Sequence, residues 1–511
     1  MSDGTIFFRK MNYYMDRGKI VGFIDIADQC VENILPLWDI HCFDINGYQG
    51  NIFQHEFDGM DLFVKKEYLF AMDYLSCVLT AYKETGNEVY KDTFEKIIDQ
   101  FHEYLNTDEP FYADLPIFAQ TLLFIKAIDI LGSIPYQKDF LELLRKYAEW
   151  FMDDNNYAFG YNHGLFSDLG LLHISVLLEG QPDFILWREY AISRINNLYE
   201  VAYYNDFTNN ENSIKYFDLN NKLYEQIIKF CKYYDIDGIK KIEDGLEMAK
   251  EALTIFAHKD HTFPLIGDGR VFNSKTSNDQ SRLFPDIGIA IVKVGEVYMS
   301  FKCKTVDQVH AHMDVSSITA RYKNIDFLID SGQYNHDRYT PANRFMRSTA
   351  GHSGIFPVFA DGMFQKEFCD SLGRSEITVY EYREDNAFVK GEYQLDGVHV
   401  CREISVLPNE IKIKDSWRCE EPTAMRQRFI IPKELIDNCR FTASQRILES
   451  HVENVKFKFE ITSDVLNPLT TIQFGVAAPQ FYAYEKTMLL DTFAENTVYG
   501  EITTKISFEE D

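Results

Sequence analysis

Three short stretches carry side chains that move protons, neutralise carboxylates or bind metals. The densest is His310-Ala311-His312-Met313-Asp314, followed by Asp330 and His352. On a strand, residues two apart share a face, so alternation would aim His310 and His312 into one cleft. His312, Asp330 and His352 supply two imidazoles and one carboxylate, a workable combination for a zinc ion. Their separations of 18 and 22 residues suit ligands on neighbouring strands or loops. Packing or surface histidines beside a solvated Asp would leave the same pattern. The second stretch, Tyr161-Asn162-His163-Gly164, opens an apolar helical segment near Leu165. An Asn amide can hold a carboxylate and a His can carry a proton, although a plain N-cap looks alike. The third, Glu211-Asn212-Ser213-Ile214-Lys215-Tyr216, also stands at a helix start. Its Tyr is either a proton-transfer group or a buried phenol with a bonded hydroxyl.

The elements that must position these groups change type halfway along the chain. In the first half, Tyr90, Phe94, Ile97, Ile98, Phe101, Tyr104 and Leu105 recur at helix spacing. Similar segments lie near 61–84, 116–131, 137–153, 164–179, 184–203, 214–234 and 241–257. Gly86-Asn87, Asp108-Glu109-Pro110, Gly132 to Pro135 and Gly180-Gln181-Pro182 punctuate them. Successive helices on short loops predict antiparallel hairpins that close as a toroid or stack as a solenoid. Residues 258–284 read as a polar connector. Beyond them, period-2 alternation predicts strands at 288–294, 297–303, 377–383, 399–407, 411–417, 425–431 and 455–462. Strands without intervening helices point to an antiparallel sandwich. The expected organisation is α+β and multidomain: helices over 1–257, a connector over 258–284 and a β domain over 285–511.

Composition narrows the function. The 511 residues include 41 Phe, 31 Tyr and 4 Trp, ample material for a core, so disorder is excluded. Net charge is −28, which argues against nucleic acid and against an anionic membrane surface. Residues 310–352 depart from that balance. They hold Arg321, Lys323, Arg338, Arg344 and Arg347 against Asp314, Asp326, Asp330 and Asp337, plus four histidines. This is where an anionic partner would be met. Nine scattered cysteines with no CxxC pair read as reduced thiols. Met1-Ser2-Asp3-Gly4 leads into Arg9, Lys10, Asp16 and Arg17 with no basic-then-apolar leader pattern. A cytoplasmic protein is expected, or a periplasmic or secreted one if a native leader was removed.

Together, the three stretches resemble the heparinase II/III-like polysaccharide lyases. The segments HAHMDVSS (310–317), FLIDSGQY (327–334) and RSTAGHSG (347–354) are similar to that family's most recognisable run. FPLIGDG (263–269) is similar to its "LPLIGD" element. NHGLFSDLGLLHIS (162–175) and ENSIKY (211–216) resemble its Asn-His and Tyr helix starts. The resemblance spans most of residues 160–355. It implies an N-terminal α/α toroid, an incomplete helical barrel, followed by a C-terminal antiparallel β-sandwich. It further implies that Asn162 neutralises a uronate carboxylate, that His163 and Tyr216 are the proton-transfer pair, and that His310 assists from the sandwich side. His312, Asp330 and His352 match the zinc set of some members. Glu211 and Arg347 occupy motif positions at the substrate. Two positions depart from the pattern: Ser353 replaces the usual Asn, and Gly351 the usual Ala.

The implied reaction removes the proton at carbon 5 of a uronic acid and expels the oxygen at carbon 4. Amide and cationic donors at the carboxylate stabilise the charge that develops, each contributing about 3–4 kcal/mol. A base takes the proton and an acid protonates the leaving oxygen. A free phenol titrates near ~10, so a Tyr base needs positive charge beside it. The expected partner is an anionic, uronate-containing glycan, with zinc as a structural or site-supporting ion and a homo-oligomer allowed. Two other readings stay open. One is a glycoside hydrolase using two carboxylates, of which Asp168 and Glu211 are examples. The other is a non-catalytic carbohydrate-binding or exopolysaccharide-assembly protein on the same scaffold.

Overall fold

Helical periodicity in the first half is realised as a series of helices around two that are apolar on nearly every face. The computed structural model describes residues 8–38, 41–59, 61–107 and 110–511. The Met1-Ser2-Asp3-Gly4 start and the Asp108-Glu109 part of one expected turn lie outside the described residues. The chain folds into two compact units that do not follow chain order. One runs up to Ala202 and takes in Lys222–Leu246. The other joins Tyr203–Asn221 to Glu247–Asp511.

In the first unit, the helices Asp114–Leu131 and Asn162–Leu177 pack on each other. Leu115 through Ile128 are all buried, and His163 alone is not buried in the second of the two helices. A helix that is apolar all round belongs at the centre of a layer. Amphipathic helices surround them. Glu88–Leu105 buries Tyr90, Phe94, Ile97, Ile98, Phe101 and Tyr104 along one stripe. Gln137–Met152 buries Phe140, Leu144, Tyr147 and Phe151 in the same way. The segment expected as one helix over 61–84 is two, Leu62–Ala71 and Asp73–Thr85. Met72 breaks it by taking a left-handed conformation with φ 54° while fully buried. Periodicity alone does not report such a break, because the apolar stripe continues across it.

The second unit is an antiparallel β-sandwich. Five strands form one sheet in chain order: Arg282–Phe284, Ile289–Val294, Val297–Lys302, Ser317–Tyr322 and Ile325–Leu328. The larger sheet runs Cys439–Thr442, Ile447–Val452, Val455–Ser463, Ala483–Glu510, Glu410–Ile431, Val398–Leu407, Asn386–Leu395, Leu372–Arg383. Ile355–Pro357 and Leu469–Gln480 attach beside it. One core joins the two faces. Val292, Phe301, Ile318 and Phe327 meet Val389, Val400, Ile413, Phe429 and Ile506. Each such side chain contributes roughly 1.5–3 kcal/mol by leaving water. The expected strands at 411–417 and 425–431 are parts of one long strand, Glu410–Ile431. The order read from the sequence, an α/α helical toroid followed by an antiparallel β-sandwich, is the order found. Among the described residues, no helix is long and apolar enough to cross a membrane. All nine cysteines are free thiols.

Candidate active site

His310 and His312 do not lie on a strand. Residues 303–316 form a loop between Val297–Lys302 and Ser317–Tyr322, and His310 adopts φ 67°. Strand alternation therefore does not bring the two histidines together. Asp268 does. Its Oδ2 lies 2.9 Å from His310 Nδ1 and its Oδ1 lies 2.9 Å from His312 Nε2. Arg347 also donates to Oδ1. Burial raises the pKa of Asp268, but Arg347 and the two histidine bonds outweigh it and hold the carboxyl well below the usual range. Asp268 sits in the FPLIGDG segment, whose Gly267 is required by close approach. At φ 66°, a Cβ there would lie 2.2 Å from the Asn212 carbonyl oxygen and 2.7 Å from that of His310.

His310 has two further neighbours. Glu211 Oε2 lies 3.5 Å from its Nε2. The Tyr216 ring stacks on the imidazole, with centroids 3.4 Å apart and planes at 16°. Both come from the same short stretch as the helix Ile214–Tyr233 begins. Glu211 is 2% exposed and accepts a bond from Asn220 Nδ2 at 3.3 Å. Arg347, expected at the substrate, directs its guanidinium to Asp268, the Ala311 carbonyl and Gln365. Asp314 forms a buried ion pair with Lys302 at 2.7 Å.

His312, Asp330 and His352 form a buried group able to hold a metal ion, with one ligand atom from each within 4.8 Å of the others. His312 Nδ1 and His352 Nε2 are buried without a hydrogen-bond partner. Their other nitrogens are engaged, His312 Nε2 with Asp268 and His352 Nδ1 with Asp330 Oδ2 at 2.9 Å. A carboxylate only accepts, so each engaged nitrogen carries the hydrogen and the orphan nitrogen carries the lone pair. Two bare imidazole nitrogens beside a carboxylate fit a divalent ion of the zinc type, with Asp268 as the outer carboxylate that orients a ligand.

Buried arginines hold the loop that carries His352. Arg402 pairs with Asp415 and donates to the carbonyls of Ser316 and Ser353 at 2.7 and 2.9 Å. Arg428 pairs with Asp491 and donates to the Ala350 carbonyl at 2.7 Å. The two departures from the family pattern are accommodated. Ser353 Oγ accepts from Ile430 N–H at 2.9 Å and donates to the Ile329 carbonyl, next to Asp330. At Gly351, a Cβ would lie 2.6 Å from the carbonyl oxygens of Phe345 and Met346, so the smallest residue is the one that fits.

In the helical unit, Tyr161 is the capping residue and makes no side-chain capping bond, while Asn162 and His163 are the first two helical residues. The plain N-cap reading therefore does not apply to Asn162, which is 5% exposed. His163 Nδ1 lies 2.9 and 3.0 Å from the two carboxylate oxygens of Asp114. Asp168, offered as one acid of a hydrolase, is fully buried. It is bonded to Arg194 at 2.7 Å and to the Tyr157 hydroxyl at 2.8 Å. Burial pushes its carboxyl up to about 7 despite Arg194.

Residues 276–486 match the family model described as Heparinase II/III-like, C-terminal. The whole chain is similar in fold to Heparinase III, with a TM-score of 0.83 at 11% identity, over 98% of this chain and 87% of that one. It is also similar to heparan sulfate lyase HepC from Pedobacter heparinus, with a TM-score of 0.68 at 14% identity, over 98% and 85% of the two chains. A third is the Streptomyces coelicolor A3 chondroitin AC lyase in complex with chondroitin sulphate. There the TM-score is 0.60 at 8% identity, over 97% and 80%. No curated protein matches the sequence. At these identities the solved structures define the fold: a helical toroid with an antiparallel sandwich. The matched residues 276–486 contain the HAHMD, FLID and RSTAGHS segments and are similar to the heparinase II/III-like C-terminal domain.

Proposed function

We propose that this protein is a polysaccharide or oligosaccharide lyase that cleaves uronate-containing glycans by β-elimination. The observation that carries this reading is the stacking of Tyr216 on His310, with His310 held by Asp268 and faced by Glu211. This places a phenol against an imidazole of fixed orientation in a cluster buried from bulk water, where proton transfer gains from exclusion of competing solvent. In this reading Asn162 and His310 neutralise the substrate carboxylate, which makes the carbon-5 proton removable. His163 and Tyr216 remove that proton and protonate the leaving oxygen. Glu211 and Arg347, both buried and bonded internally, support the substrate site by holding His310 and Asp268 in place. Zinc bound by His312, Asp330 and His352 would fasten the loops bearing these ligands, two residues from His310. The structures similar to this chain include a heparan sulfate lyase and a chondroitin lyase, which supports a glycosaminoglycan-type substrate.

A hydrolase is disfavoured by Asp168, which is sealed under Arg194 and Tyr157 and presents no carboxyl to a sugar. The deciding experiment is ultraviolet absorbance of the unsaturated uronate product. Wild type and Tyr216→Phe are compared on heparan, chondroitin, hyaluronan, alginate and bacterial exopolysaccharide fragments. A rise with wild type alone supports elimination and names the substrate class. New reducing ends without a rise would replace the lyase by a hydrolase. Neither signal, on any fragment, would favour a binding protein.

A further inference from the structure

We infer that Asp114 is a positioning residue that fixes the tautomer of His163 and leaves Nε2 as its proton-transfer atom. The inference rests on the lyase reading for what the proton does, but its geometry belongs to the helical unit alone. Asp114 is the first residue of the helix Asp114–Leu131, and His163 is the second of Asn162–Leu177. These two central helices pack on each other, so their N-termini bring the side chains into register. Both oxygens of Asp114 lie within 3.0 Å of His163 Nδ1. A carboxylate has no hydrogen to give, so Nδ1 must hold one, and the neutral ring carries its lone pair at Nε2. The Asp114 side chain is 13% exposed and that of His163 43%, so the carboxylate is sheltered while the imidazole remains reachable. Phe166 abuts the ring edge-on, with centroids 5.7 Å apart, and limits its rotation.

A second carboxyl accompanies the pair. Glu67, from the helix Leu62–Ala71, is 7% exposed. Burial pushes it up to about 7, with His163 lowering it and Asp114 raising it. Further along the His163 helix, Asp168 and Arg194 are engaged with each other. Nothing in the sequence pattern singled out Asp114 or Glu67, because Asp at a helix start is ordinary on dipole grounds.

The test is 15N solid-state NMR of histidine-labelled protein, at a pH where the ring is neutral, with His163 signals assigned by their loss in His163→Gln. Wild type is expected to show the hydrogen on Nδ1 and none on Nε2. Asp114→Asn, whose amide can also donate, is expected to populate the Nε2–H form. Its kcat is expected to fall by about 10-fold or more, with KM within about twofold, since general acid–base groups act in the transition state. A wild-type ring with its hydrogen on Nε2 overturns the inference, as does an Asp114→Asn enzyme with unchanged kcat. If no glycan is turned over at all, the lyase reading fails while the wild-type tautomer still decides the geometry.

Discussion

Asp268 holds His312 by its Nε2, 2.9 Å from Oδ1, and so leaves the other nitrogen of that ring turned to Asp330 and His352. The same carboxylate orients His310 through Oδ2. Replacing Asp268 by Ala removes the acceptor that selects the ligand nitrogen. Metal affinity is expected to fall about 10–100-fold, the usual cost of losing an outer-shell partner. Competition with a chromophoric chelator measures it. His310→Ala, which removes no ligand, is expected to keep the affinity, and equal losses in both variants would refute the assignment.

Structure and turnover should separate between the two ends of this cluster. His352→Ala is expected to lose zinc binding and to lower Tm, because a metal held by His312, Asp330 and His352 would tie together the loops that bear them. Tyr216→Phe keeps the ring that stacks on His310 and is expected to retain both zinc and Tm. Its kcat should drop by about 100-fold or more, the scale of a lost general acid or base. Metal analysis, thermal unfolding and product absorbance on the same preparations check all three.

Arg402 is the most deeply buried of the arginine clamps, 1% exposed and paired with a fully buried Asp415. Arg402→Leu strands that carboxylate and releases the carbonyls of Ser316 and Ser353. A loss of about 3–5 kcal/mol is expected, as for breaking any buried pair at one end. Urea denaturation of the single variant against Arg402→Leu with Asp415→Leu tests the cause, since removing both charges should recover part of the loss.

Two histidines outside the site predict how stability varies with pH. Burial pushes His173 down to about 4 and His258 down to about 3. His173 donates from Nδ1 to the Leu169 carbonyl and accepts from Met15 N–H at Nε2, so its fold demands the neutral ring. Unfolded, both take a proton below about 6.5. The unfolded chain then binds more protons, and stability falls as pH falls from about 6.5 toward the folded values. Between pH 6.5 and 5 the loss is about 2 kcal/mol for each histidine. The urea midpoint should decline over that range, and His173→Gln or His258→Gln should flatten the decline. A midpoint independent of pH would contradict it.

Much of the architecture was legible because burial leaves a period in the residues. The helices from Glu88 to Phe256 and the strands at Ile289–Val294, Val297–Lys302 and Val398–Leu407 lie close to where that period places them. The left-handed break at Met72 was hidden, since the apolar stripe crosses it unchanged. The metal group was legible for a related reason. His312, Asp330 and His352 are residue types with few other uses at such density, and the structure gathers them within 4.8 Å. What brought His310 beside His312 was not strand alternation, since both lie in a loop. It was Asp268, 42 and 44 residues away in sequence and bonded to both. Asp114 reaches His163 across 49 residues in the same manner. Residue type and period are local properties that a sequence determines by itself. Which carboxylate meets which imidazole depends on how distant segments pack, and that only the tertiary structure decided.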